Sequence, residues 1–190
     1  MATVDDLIRV SQWAIQFVDA IVGPHGGAWN KPPEIKKSVT IKTGFDEFDA
    51  HVTKTRADQV RNDLGTRIGN IRAEFLQAHP GGYDPWNPGK LNTLARLAIK
   101  HRAGHCMEQV AIAFHHLRVA GVNTIDLMSL HWPADHAFLI LNRGRAEAVV
   151  CDPWSPWKGR RAYAATRQLL TQNLRMHTNT EADSTFTWRA

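Results

Sequence analysis

Three residues in this chain have the types and the order needed for covalent chemistry at an amide. The first is in Ala103-Gly104-His105-Cys106-Met107-Glu108, followed by an apolar run to Ala120. Met107, Val110, Phe114 and Leu117 recur at helical spacing and predict a buried stripe. Gly121 suits the position just past a helix end. Cys106 is therefore expected in or just before the first helical turn. Outward-pointing N–H groups and the positive end of the helix dipole favour a thiolate there. Gly104 is expected to leave the approach to the sulfur open. The plain alternative is a small buried thiol.

The other two residues lie downstream. Asp135-His136-Ala137-Phe138-Leu139-Ile140-Leu141 reads as one strand and Ala148-Val149-Val150-Cys151-Asp152 as the next, joined by Asn142-Arg143-Gly144-Arg145-Ala146. A turn centred on Gly144 sets His136 directly opposite Asp152, within side-chain reach. Alternation puts Cys151 on the other face. The chain thus offers a nucleophile at Cys106, a general base and acid at His136, and an orienting carboxylate at Asp152. Asp126 and Asp135 are the rival carboxylates.

These motifs resemble a known superfamily. Gly104-His105-Cys106-Met107-Glu108, Asp135-His136-Ala137-Phe138 and Val150-Cys151-Asp152-Pro153-Trp154, in that order, look like the papain-like and transglutaminase-like hydrolases. They are most similar to the papain-fold glutamine deamidases and proteases of bacterial toxins and type III secretion effectors. The resemblance covers residues 100 to 158 and nothing in the N-terminal half. It implies a cysteine-dependent amide hydrolase with a Cys-His-Asp triad, acting on a protein substrate in a target cell. Side-chain glutamine deamidation is the first reading. Proteolysis is the alternative, with acyl transfer of the transglutaminase kind or a non-catalytic binding module behind it. It further implies residence in a bacterial cytoplasm before export without a cleaved signal peptide.

The papain pattern carries a Gln shortly before the cysteine; here His101, Arg102 and His105 stand there. The Cys106 N–H is one expected oxyanion donor, and His105 or His101 a candidate second one. Gly104, His105 and Trp154 are the expected cleft residues, Trp154 or Trp157 walling off the His–Asp pair from water. Glu108 is expected to hold a neighbouring loop or a basic substrate, or to form a surface salt bridge. His101, His105, Cys106, His115, His116 and His131 raise the question of a metal. No C-x-x-C or H-E-x-x-H spacing supports one, so no metal and no cofactor are expected. His115 and His116 read as solvated.

The 190 residues, 43% hydrophobic and 22% charged, suit one domain with a real core. The expected fold is α+β and papain-like over 1–190. Residues 1–90 form a helical N-terminal portion and 91–160 the Cys-His-Asp core. The net charge of +5 is spread along the chain, so no nucleic-acid partner is expected. Two cysteines are too few for a disulfide framework. Asp5, Asp6, Arg9 and Asp19 interrupt the first apolar stretch, so neither a signal peptide nor a membrane span is expected there.

Several elements must position these residues. Thr3-Val4-Asp5-Asp6 reads as the start of a helix with a stripe of Leu7, Val10, Trp13, Phe17 and Ile21. His25 to Pro33 reads as loop, and Ser38 to Lys42 as a short edge strand. Asp46 to Ala78 reads as helical, with Thr55 and Asp58 suggesting a break into two helices. His79 to Lys90 is rich in Gly and Pro and reads as a loop carrying Tyr83 and Trp86; Leu91 to Lys100 reads as a short helix. Val122 to Leu130 reads as the first of at least three antiparallel strands. The helix bearing Cys106 is expected on the sheet face carrying His136, with other helices over the rest. Ala162 to Met176 reads as a final amphipathic helix, and the polar end from His177 as loose.

Overall fold

The computed structural model describes residues 2–22, 46–85, 87–130, 136–154, 162–164 and 182–189, with backbone only for 46–61, Leu130 and 182–189. The expectations for His25 to Pro33, Ser38 to Lys42, Trp86, His131, Asp135 and Trp157 lie outside these residues. The architecture is α+β: among the described residues there are four helices and an antiparallel sheet of five strands. No described helix is long and apolar enough to cross a membrane.

Helix α1 (Val4–Val22) begins with a reciprocal cap. The Asp6 N–H donates to Thr3 Oγ1 and the Thr3 N–H to Asp6 Oδ2, each at 3.1 Å. Its buried side is Leu7, Ser11, Ala14, Ile15, Val18 and Val22. That is a correction to the stripe drawn through Trp13, which is 55% exposed. The small residues Ser11, Ala14 and Val18 let the helix lie close on the strand Val149–Cys151 and the helix Cys106–Val119, and a Trp does not fit there.

Helix α2 (Asp46–Ala78) is one helix, not two. The Thr55–Asp58 spacing of a capping box occurs inside a helix as readily as at its start. Among its residues whose side chains are described, Leu64, Ile68, Ile71 and Phe75 are buried. Helix α3 (Pro88–His101) starts three residues before the predicted Leu91. Asn87 caps it by accepting the Lys90 N–H at 2.9 Å, and Pro88 takes the first turn, where its missing N–H costs nothing. It ends on Arg102 in the left-handed region, φ 50°.

Helix α4 (Cys106–Val119) starts at the cysteine and gives way to Gly121, φ 79°. It is buried on more sides than the expected stripe. Ala111, Ile112 and Ala113 are inaccessible along with Val110, Phe114 and Leu117, whereas Met107 is only partly buried. Helices α1 and α3 and the strand His136–Leu141 surround it.

Strands β1 (Thr124–Leu130), β2 (His136–Leu141), β3 (Val149–Cys151) and β4 (Ala162–Ala164) follow one another, and β5 (Ala182–Arg189) returns to pair with β1. The sheet order is β4-β3-β2-β1-β5, antiparallel throughout. One face (Ile125, Leu127, Ala137, Leu139, Leu141, Val149, Cys151) joins the helices in a single core. The other (Met128, Phe138, Ile140, Ala148, Val150) forms a second cluster against which Tyr163 packs.

Two C-terminal expectations are corrected. Residues 162–164 are an edge strand, with Tyr163 paired to Val150, not the start of a helix; residues 165–176 lie outside the described set. Residues 182–189 are not loose but a strand. The β-branched and aromatic residues Thr185, Phe186, Thr187 and Trp188 suit a pleated surface, and β1 leaves an edge for them to fill.

Candidate active site

Cys106 opens α4 and His136 opens β2, so the two meet at one end of the sheet. Helix α4 packs on the face carrying Ala137 and Leu139. His136 shares its side of the strand with Phe138, on which its ring stacks at 6.1 Å. The expectation that α4 covers the face bearing His136 is therefore corrected. The sulfur and the imidazole meet at the ends of their elements rather than across the sheet face.

The hairpin register is also corrected. Leu139 pairs with Cys151, Ile140 with Val150 and Leu141 with Val149, so the turn is centred on Arg145 rather than Gly144. Asn142 (φ 52°) and Gly144 (φ 80°) take left-handed conformations in the connection. Continued one step, this register sets Asp152 level with Phe138 and diagonal to His136. A centre moved by one residue changes each partner by two, so His136 and Asp152 stay on the same face.

The diagonal is close enough. His136 Nε2 lies 2.9 Å from Asp152 Oδ2, with both residues buried. Asp152 Oδ1 accepts the Trp154 N–H at 3.1 Å. The Trp154 ring lies 5.1 Å from the imidazole, tilted by 45°. Cys106 acts electrostatically on the same imidazole. Burial on its own would push the His136 pKa down. The charge of Asp152, its hydrogen bond, and the electrostatic action of Cys106 outweigh that and raise it to about 10. The histidine is thus held as an imidazolium between a carboxylate and a sulfur, the polarity that a thiolate nucleophile needs.

Of the rival carboxylates, Asp126 is buried on β1 opposite Ile140, four residues along the ladder from the position of His136. Cys151 points to the other face and is fully buried, its Sγ 3.9 Å from the Ser11 carbonyl.

Gly104 has a packing role at the head of α4. A Cβ there would sit 2.5 Å from Glu108 Cβ, so the glycine lets Glu108 fold back over the helix start. Its carbonyl accepts Gln109 Nε2 at 3.0 Å. His105 is the N-cap, and its N–H donates to Glu108 Oε2 at 2.8 Å. His101 is removed from the candidate oxyanion donors, because its Nε2 lies 2.8 Å from Glu74 Oε1 and ties α3 to α2. The Cys106 N–H belongs to the first turn of α4, whose N–H groups point along the helix axis.

Glu108 is 1% exposed, and among the described residues it makes no surface salt bridge. It holds the loop before α3, since Tyr83 Oη donates to its Oε1 at 2.6 Å. Tyr83 was legible only as an aromatic in a loop poor in charge. His115 and His116 are not simply solvated: His115 Nδ1 is 3.5 Å from Asn92 Oδ1, and His116 stacks on Phe17 at 4.9 Å. Among the described residues no group of three or more His, Cys, Asp or Glu is placed to hold a metal ion. No protein-family model matches the chain, and no curated protein or solved structure matches it significantly.

Proposed function

We propose that this chain is a papain-like, cysteine-dependent amide hydrolase whose nucleophile is Cys106. The observation that carries this reading is the convergence on one imidazole of Asp152, 2.9 Å from Nε2, and Cys106. A thiol at a helix start, a histidine at a strand start and a carboxylate fixed by a backbone N–H make up the required set. The α+β layout, with the cysteine helix packed on an antiparallel sheet, is compatible with a papain-like fold.

The Cys106 sulfur attacks the amide carbon, and the carbonyl oxygen takes up the negative charge near the first-turn N–H of Cys106. The C–N bond breaks as the His136 imidazolium gives its proton to the leaving nitrogen. A thioester remains. Water, deprotonated by His136, then attacks the thioester carbon and releases a carboxylate and the thiol. Asp152 keeps the imidazole oriented and offsets its charge throughout.

The substrate class is a glutamine side chain of a protein in a target cell. This part, like export of the chain to a target cell, rests on the similarity of the three motifs to toxin and effector deamidases. Intact-mass analysis of candidate target proteins after incubation tests it. A gain of about one dalton means deamidation. Chain cleavage means proteolysis, and a loss of about seventeen daltons on crosslinking means acyl transfer to an amine. No mass change with any target, and none that depends on Cys106, favours a binding module.

A further inference from the structure

Glu108 is a buried acid that the three-residue chemistry does not use. It is the third residue of α4, and among the described residues it forms no ion pair. Its two oxygens are instead divided between two donors: the His105 N–H at 2.8 Å and the Tyr83 hydroxyl at 2.6 Å. The second distance is that of a charge-assisted O–H···O⁻ bond. Gly104, whose missing Cβ makes room for Glu108, completes the joint.

Tyr83 reaches this joint from the connection between α2 and α3. Its ring packs on Phe75 at 5.1 Å, and the Arg72 guanidinium lies over it at 5.5 Å. Burial, then the Glu108 charge and hydrogen bond, push its ionisation far above the ordinary phenol range, so it remains a donor.

We propose that Tyr83 is a positioning residue for the nucleophile. Through Glu108 it holds the His105–Cys106 step, so that the sulfur is presented to His136 and the Cys106 N–H to the reacting oxygen. This rests on the reading of Cys106 as a nucleophile. It adds that the connection between α2 and α3 sets the nucleophile's geometry through one hydroxyl.

The test is the rate of Cys106 alkylation by iodoacetamide across a pH series, followed by mass spectrometry on the full chain. Tyr83→Phe keeps the ring and its packing. It should slow Cys106 labelling by about tenfold near neutral pH, since small displacements of a reacting group are costly, and should displace the pH profile. Glu108→Ala should do the same. The double variant should fall no further than Glu108→Ala, because Tyr83 acts through Glu108. A wild-type rate and profile in folded Tyr83→Phe, or additive losses in the double variant, overturn the proposal. Unmodified protein that labels Cys106 no faster than Cys151 overturns instead the nucleophile reading beneath it.

Discussion

His136 Nε2 and Asp152 Oδ2 lie 2.9 Å apart although the hairpin sets the two residues on a diagonal. Diagonal neighbours on one face of a sheet are within reach of long or aromatic side chains. Asp152 is the first residue after β3, and the Trp154 N–H holds its other oxygen. The carboxylate is therefore fixed by the turn at Asp152-Pro153-Trp154 as much as by the ladder.

Replacing that carboxylate should be expensive for turnover. Asp152→Asn keeps the shape but loses the charge that balances an imidazolium and can favour the wrong tautomer. The expected loss is on the order of 10²–10⁴ in kcat, by analogy with other triads. Asp126→Asn, on β1 opposite Ile140, should be far milder in any folded sample. Rates for both variants on a target identified by intact mass check this. A larger loss from Asp126→Asn would mean that the orienting residue is misassigned.

Cys106 and Cys151 offer an internal comparison. Cys106 is partly exposed beside an imidazolium, whereas Cys151 is sealed beneath α1. Iodoacetamide should label Cys106 well before Cys151 in the folded protein near neutral pH. In denaturant the two should react alike. Equal, slow labelling in the folded state is the outcome that counts against the nucleophile.

The raised His136 pKa has a consequence for stability. A histidine whose folded pKa of about 10 exceeds its ordinary 6.5 binds its proton more tightly when folded. Its contribution is complete below about pH 6.5 and is lost as the pH climbs through about 10. Urea midpoints should therefore fall between about pH 7 and about pH 10, and the fall should be shallower in Asp152→Asn. Parallel profiles for the two proteins would argue that the pair is not coupled to folding.

Gly104→Ala tests the joint at the head of α4. The added methyl meets Glu108 Cβ at 2.5 Å, a contact that forces backbone or side chain to move. Overpacking of this kind costs about 1–3 kcal/mol. Denaturant unfolding should show that loss, and Cys106 labelling should slow with it. A variant as stable as its parent would mean that Glu108 relaxes freely.

The buried side of α1 can be tested by a pair of truncations. Ile15→Ala should cost about 2–5 kcal/mol, as a buried Ile does. Trp13→Ala, at a residue 55% exposed, should cost much less despite the larger side chain. Thermal unfolding of both distinguishes this face from the stripe through Trp13.

Much of the site was legible because its signals are local. The helical recurrence of Val110, Phe114 and Leu117 and the stop at Gly121 are enough to place Cys106 at a helix start. Alternation in β2 and β3 is enough to put His136 and Asp152 on one side and Cys151 on the other. That inference survived a misplaced turn centre because side-chain direction in a strand has period two, and each partner moved by two.

What the sequence could not decide was which surfaces meet. Trp13 and Val18 both suit an amphipathic helix, and only the fit of α1 against β3 and α4 selects the smaller residues. Ala162, Tyr163 and Ala164 have a local preference for helix, which pairing with β3 overrides. Which of its expected roles Glu108 takes is decided only when Tyr83, 25 residues earlier, is folded onto it. Short-range periodicity records which residues share a face. The partner of that face, and so what is buried, is set by contacts between segments distant in the chain, to which no local pattern responds.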